Sequence, residues 1–303
     1  MIETIQLDAP GDPGLRAAFA PSANMILHSL RLGDRELLAT RNGLQAYAER
    51  GSTMGVPLLY PWANRLGGFE YTAAGKEVVL ERDSALFKLD GAGLPIHGAM
   101  PALMRWEVLE TTTEGDTAVL SARLDWDHGH PAYSLFPFPH RLEYRARLEP
   151  RRALIAVAVE PAEDAAVPVS FGFHPYLRIP GERAAAQLTL PVRRALLHDV
   201  AMIPTGETER CEPGRRQLGH TEWDDGFSEL DDPPRFLLGN HDSEVAVTFL
   251  RGYRFAQVFA PAGSDFVCFE PMTAPTNALV AGEDLPIVRP GARYEAAFEI
   301  AVG

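Results

Sequence analysis

An antiparallel β-sandwich or barrel is the fold class this sequence predicts, on three observations. Strand-like runs recur at roughly ten-residue spacing, with Gly, Pro or Asp turn signals between them. No convincing helix exceeds two turns, and no alternation of helix with strand points to a parallel sheet. The 303 residues are 46% hydrophobic and 23% charged, an ordinary globular balance, without internal repeats or Pro-rich linkers. One domain over residues 1–303 is therefore expected.

In chain order, Ala17–Pro21, Met25–Leu32 and Glu36–Ala39 read as short strands, with Gly33-Asp34 as a turn. Gly43–Glu49 has the length of one or two helical turns. Gly55–Gly68 holds Pro57 and Pro61, which forbid a long helix or a central strand. It stays apolar and aromatic until Asn64-Arg65, so it reads either as a packed loop delivering polar groups or as a surface loop with an exposed Arg. Phe69–Tyr71 and Glu77–Leu80 form a hairpin pattern around Gly75, and Trp106–Glu110 with Ala118–Leu124 form another around Gly115. His140–Leu148 alternates, with Leu142, Tyr144, Ala146 and Leu148 facing inward, while Ala153–Val159 is apolar on both faces. Val167–Tyr176, Leu188–Val192, Glu244–Leu250, Tyr253–Phe259 and Ala292–Val302 extend the strand series.

Two strand ends carry chemistry-bearing groups. In Phe266–Met272, alternation puts Phe266, Cys268 and Glu270 on one face, and Pro271 is expected to stop the strand. Glu270 is either a solvated strand-end carboxylate or a desolvated one whose raised pKa suits acid–base work. In Val169–Leu177, Ser170, Gly172 and His174 share a face, and the small neighbours leave room for a ligand beside His174. His97 precedes Gly98, which permits close backbone approach. His128-Gly129-His130, near Asp125 and Asp127, reads as a polar loop; metal-ligand spacing involving His97 or His174 is absent. No metal and no cofactor are expected. Neither a nucleophile elbow nor a phosphate-cradling glycine loop occurs.

The net charge of −13 disfavours nucleic acid and anionic membranes as partners. Two cysteines, Cys211 and Cys268, are too few for a disulfide framework. With no signal-peptide pattern at Met1–Thr4 and no apolar stretch of membrane-spanning length, a soluble cytoplasmic protein is expected.

Five motifs now fall into a familiar order: Asn64-Arg65-Leu66-Gly67-Gly68-Phe69, Leu94-Pro95-Ile96-His97-Gly98, Gly172-Phe173-His174-Pro175-Tyr176, Asp224-Asp225-Gly226-Phe227 and Glu270-Pro271. From about residue 20 to the C-terminus the chain resembles the aldose 1-epimerase (mutarotase) family. The resemblance implies a galactose mutarotase-like supersandwich that binds a small-molecule aldose sugar in an open cleft, as a monomer or homodimer. It further implies Glu270 as general base on the anomeric hydroxyl and His174 as general acid on the ring oxygen. Arg65, His97, Asn64 and Asp224 would hold the sugar, with Asp225 one residue away as the rival to Asp224. Trp62, Phe136, Phe138 and Tyr176 are candidates either to stack on the sugar or to fill the core. The chain departs from the galactose-mutarotase pattern at Leu94–Ala99 and in an apparent insertion, Ser84–Asp90. A hexose 6-phosphate epimerase, drawing on Arg105 and Arg178, and a non-catalytic sugar-binding protein on the same fold are the alternatives.

Overall fold

In the computed structural model, which describes residues 2–303, two large antiparallel sheets enclose one continuous apolar core. The nine-stranded sheet runs from Glu107–Glu114 through Thr117–Trp126, His140–Glu149, Arg152–Pro161, Tyr294–Val302, Glu244–Arg251, Arg235–Gly239 and Gln187–Leu190 to Gly214–Gln217. The eight-stranded sheet runs from Pro204–Arg210 through Val192–His198, Trp223–Leu230, Phe255–Ala260, Phe266–Met272 and Gly172–Phe173 to Leu58–Leu59. Its eighth strand, Tyr176–Arg178, also pairs with Phe266–Met272. A four-stranded sheet of Ile5–Ala9, Leu15–Ala20, Ile26–Leu32 and Arg35–Glu36 adds Phe19, whose ring stands edge-on to Tyr144.

Aromatic contacts join the two large sheets. The Phe173 ring centre is 4.9 Å from that of Phe298, and Phe269 is 5.3 Å from Phe236. Each such buried side chain contributes roughly 1.5–3 kcal/mol of apolar transfer energy. Those contacts fix which way the smaller sheet faces. Val267 and Phe269 point toward the nine-stranded sheet, so strict alternation turns Phe266, Cys268 and Glu270 outward. Phe171 and Phe173 likewise point inward and turn Gly172 and His174 to the outer face.

Several elements differ from the sequence expectation, each for a local reason. Pro271 does not end its strand: Phe266–Met272 continues through it, and Ala256 pairs opposite Pro271. The missing N–H costs a ladder bond on the other edge only. The expected strand Val167–Tyr176 is instead Val167–Pro168, Gly172–Phe173 and Tyr176–Arg178, and the second of its two breaks falls where Pro175 cannot donate. The first hairpin is tighter than expected, with Glu70–Ala73 and Lys76–Val79 joined by Ala74-Gly75. Trp223–Leu230 and Pro204–Arg210 are full strands whose polar residues hide the alternation. Gly43–Arg50 is an eight-residue α-helix closed by Gly51 in the left-handed region.

One close approach anchors the segment that carries His97. A Cβ at Gly98 would lie 2.1 Å from the Tyr60 carbonyl oxygen, and Gly98 has φ +74°. Gly93 has a similar φ, +78°, but open space around it. Gly98→Ala is therefore expected to cost about 3 kcal/mol or more, lowering Tm by roughly 5 °C or more. Gly93→Ala meets only the conformational penalty of about 1 kcal/mol. Thermal melts of both variants check this, and equal shifts would contradict the close approach.

Candidate active site

The outer face of the smaller sheet brings His174 and Glu270 together by register alone. Gly172 pairs with Met272 and Tyr176 with Cys268, so one register runs through both short strands. That register sets His174 opposite Glu270. Pro175 and Pro271 flank the pair and remove a donor on each side of it. The His174 N–H turns the other way, to the Pro57 carbonyl at 3.1 Å. Opposed residues that exchange no backbone bonds bring their side chains closest. His174 Nε2 and Glu270 Oε1 are 3.2 Å apart, with both residues buried.

Burial governs their protonation. Desolvation, reinforced by the nearby Asp224 carboxylate and partly offset by Arg65, holds the Glu270 carboxyl well above its usual range. Desolvation, reinforced by His97 and Arg41, holds the His174 imidazole well below its own. Both directions disfavour net charge, so the pair is stable with a single proton between its two members. Such a unit can give a proton at one atom while taking one at the other.

Two loops bring the remaining polar groups to the cleft. Asn64 and His97 both adopt left-handed backbone conformations, φ +53° and +66°, a strain that persists only where surrounding structure fixes it. The His97 N–H donates to the Asn64 carbonyl at 2.9 Å, tying the loops together. Arg65 Nε donates to Asp90 Oδ2 at 2.7 Å, and its Nη1 donates to Asn64 Oδ1 at 3.0 Å. Its Nη2 lies 3.8 Å from Asp224 Oδ2. Burial raises the Asp90 carboxyl, but N–H donation from Leu94 and Ala92 and the Arg65 charge outweigh this and hold it low. Asp90 belongs to the apparent insertion and carried no signal in the sequence beyond its glycine-rich setting. Asp224, and not Asp225, lines the cleft: it shares a strand face with Gly226, opposite to Phe227 in the core. Gln257 Nε2 donates to Asp224 Oδ1 at 2.7 Å.

The aromatic candidates divide between the two readings. Trp62, Phe136 and Phe138 are wholly buried in the main core and cannot reach a ligand. Tyr176 is buried too, and its ring lies parallel to that of His174 at 4.4 Å. Its hydroxyl meets Thr53 Oγ1 at 2.6 Å and stands 3.4 Å from His174 Nε2. Tyr176 and Phe259 both line the cleft, and Phe259 stands edge-on to His174. It follows Gln257 by two residues on the outer face, a placement visible once that face is known. Arg41 also lines the cleft and was not legible from spacing. Arg105 and Arg178 do not line it; Arg178 donates to the Leu38 carbonyl and pairs with Asp265.

The cleft encloses about 150 Å³. A larger groove, about 680 Å³, lies beside Glu207, Asp231 and Tyr253, yet no acid–base pair faces into it. Size alone is a weaker guide than a desolvated, mutually facing carboxylate and imidazole. The His128–His130 loop takes another course: His130 stacks on Trp126, and His128 packs against Tyr133. Among the described residues no helix is long and apolar enough to cross a membrane.

The aldose 1-epimerase family model matches residues 26–301. By sequence the chain is 24% identical over 251 residues to the uncharacterized protein YihR of Escherichia coli (strain K12), covering 80% of this chain and 77% of that one. Among solved structures, Slr1438 of Synechocystis sp. PCC 6803 aligns with a TM-score of 0.79 at 24% identity, covering 99% and 96% of the two chains. A galactose mutarotase-like protein from Clostridium acetobutylicum gives 0.84 at 16% identity, over 100% and 95%. The galactose 1-epimerase of Lactobacillus acidophilus NCFM gives 0.78 at 12% identity, over 100% and 99%. At such identities the structural likeness is one of fold.

The electrostatics of His97 are open to direct measurement. Burial, with the charges of Arg65 and Lys88, pushes its imidazole down to about 3, against an ordinary 6.5. A histidine depressed in the folded state stabilises fully above its unfolded pKa, and that stability is lost as pH falls from 6.5 toward 3. Imidazole NMR shifts should therefore show His97 neutral throughout pH 5–8, with wild type losing more stability than His97→Asn between pH 7 and 4.5. A His97 midpoint near 6.5 would overturn the assignment.

Proposed function

The chain belongs to the aldose 1-epimerase family, and from that membership we propose that it interconverts the α and β anomers of a hexose by acid–base ring opening. The observation that carries the reading is the buried Glu270–His174 pair, 3.2 Å apart and facing a polar cleft. Mutarotation removes a proton from the C1 hydroxyl while delivering one to the ring oxygen. Both oxygens are bonded to C1, so acid and base must stand side by side. In the ionised tautomer Glu270 takes the hydroxyl proton, and His174 gives its proton to the ring oxygen. The C1–O5 bond breaks, C1 becomes the free aldehyde, and rotation about C1–C2 presents its other face. Reclosure runs the same transfers backwards and returns the pair to its starting state.

The other groups suit the supporting roles. Arg65, held by Asp90 and Asn64, has its outer nitrogens available to donate to sugar hydroxyls and to charge developing on the ring oxygen. Asp224 and Asn64 supply hydroxyl partners across the cleft, and Phe259 offers the apolar face of the ring a surface. Neutral His97, edge-on to His174 at 5.5 Å, helps hold the ring oxygen without competing as an acid. A protein that only bound sugar would have no use for a desolvated proton-sharing pair.

NMR anomer exchange on a panel of hexoses tests the activity, and a rate equal to the uncatalysed one for every sugar would refute it. Glu270→Gln should lower kcat by roughly two to four orders of magnitude while sugar binding survives. Near wild-type turnover in that variant would remove Glu270 from the chemistry.

The pH profile should be a bell with a broad top. Activity needs one proton on the pair, and it fails when a second proton is added or the shared one is lost. Burial opposes both changes, so the acid limb falls below the usual histidine range and the alkaline limb above the usual carboxylate range. His174→Asn should abolish the alkaline limb along with most activity, leaving a rate that rises as Glu270 ionises. His97→Asn should lower the rate and keep both limbs. The opposite pattern would mean that the two histidines exchange roles.

A further inference from the structure

His174 is oriented in an unusual way for an acid–base imidazole. Its Nε2 faces Glu270, but its Nδ1 is buried and meets no hydrogen-bond partner on another of the described residues. Most functional histidines have a carbonyl or carboxylate on the second nitrogen, and that bond sets the plane of the ring. Here three aromatic rings set it instead. Tyr176 lies parallel to the imidazole, with 2° between the planes and 4.4 Å between the ring centres. Phe259 and His97 stand edge-on to it at 5.7 and 5.5 Å. The 3.4 Å from Tyr176 Oη to His174 Nε2 is a stacking distance. A ring nitrogen bonds within the plane of its ring, and Tyr176 lies above that plane, so Nε2 stays free for Glu270.

The stack is only as fixed as Tyr176, and Thr53 holds the far end of that ring. Thr53 Oγ1 and Tyr176 Oη are 2.6 Å apart, and both residues are buried. This bond fixes the direction of the ring's long axis. Phe266, 4.9 Å away between centres, and the Arg41 guanidinium pack against the ring itself. Arg41 Nη1 also donates to Tyr176 Oη at 3.2 Å and to the Thr53 carbonyl at 3.0 Å, bracing the contact from a second side. The main chain beneath Thr53 is tied down as well. The Tyr176 N–H donates to the Gly55 carbonyl at 2.7 Å, and the Gly55 N–H donates to the Ala39 carbonyl at 3.0 Å. Gly55, at φ +56°, lies against the strand Ile26–Leu32, where a Cβ would sit 2.6 Å from the Leu27 carbonyl oxygen. Thr53 thus stands two residues from a point where the backbone has no room to shift.

We propose that Thr53 is a positioning residue for the acid–base pair: by holding the Tyr176 hydroxyl it holds the ring on which His174 stacks, and so keeps Nε2 aimed at Glu270 Oε1. The proposal rests on the mutarotase reading and adds to it a residue that acts through Tyr176 and His174. Thr53→Val removes the hydroxyl at nearly constant volume, whereas Thr53→Ser keeps it. With glucose and galactose as probes, NMR anomer exchange should give a kcat about tenfold lower in Thr53→Val and in Tyr176→Phe, with KM within about twofold of wild type. Thr53→Ser should retain most of the wild-type kcat. Combined in one chain, Thr53→Val and Tyr176→Phe should cost about as much as the larger single loss, because both delete one contact. In the sugar-free protein the His174 ring-nitrogen shifts should move in Thr53→Val and return in Thr53→Ser. Wild-type kcat in Thr53→Val would overturn the proposal. A Thr53→Ser variant as slow as Thr53→Val would do the same, since bulk and not the hydroxyl would then be the cause. A raised KM at unchanged kcat in Thr53→Val would make Thr53 a direct sugar contact and also overturn it. Should the wild type exchange neither sugar, the His174 shifts decide alone: movement in Thr53→Val upholds the positioning role, and unmoved shifts overturn it.

Discussion

A carboxyl group buried against an imidazole, each pushed by burial toward its neutral form, is the interaction on which the smaller sheet's outer face depends. Isolated, either charged group would cost several kcal/mol to bury, whereas the proton-sharing pair leaves no net charge to solvate. Holding the two at 3.2 Å takes more than adjacency. Gly172 allows its strand to lie close to Phe266–Met272: a Cβ there would sit 2.7 Å from the Pro271 carbonyl oxygen. Pro175 and Pro271 remove the backbone donors on either side of the pair. The side chains meet where the ladder is interrupted, and the His174 N–H is satisfied by Pro57 on the opposite edge.

Around that pair the loops supply charge in balanced amounts on one side and unbalanced amounts on the other. Arg65 is fixed between Asp90 and Asn64 and approaches Asp224, while Gln257 holds the far oxygen of Asp224. The network pulls Glu270 both ways, since Asp224 raises its pKa and Arg65 lowers it, and burial decides the outcome. On the Tyr176 side Arg41 is braced by a hydroxyl and a carbonyl, neither of which neutralises it. Strained backbone at Asn64, His97 and Arg41 accompanies these placements, as it often does where surrounding packing holds a functional group in an unfavourable conformation.

Much of this was legible in the sequence because alternation is local. The inward Leu142, Tyr144, Ala146 and Leu148, the faces of Phe266–Glu270, and the small residues beside His174 follow from the two-residue period of their own strands. The motif order drew Arg65, His97, His174, Asp224 and Glu270 into one hypothesis, and the fold gathers all five around a single cleft. The aromatic residues were less tractable, because Trp62, Phe136 and Phe138 are apolar and aromatic in either role. Only the direction of the core excluded them from the cleft.

The sequence by itself determined the antiparallel β class, the strand faces and the chemical types at the site, since these depend on neighbours two residues apart and on the functional groups themselves. Tertiary structure decided the rest. The opposition of His174 and Glu270 follows from a register between strands nearly a hundred residues apart. The choice of Asp224 over Asp225 rests on which face Phe227 buries. Asp90 and Arg41 entered the site because loops from distant parts of the chain fold back onto one sheet face. Long-range contacts of that kind have no period, so a linear sequence gives no local pattern from which to read them.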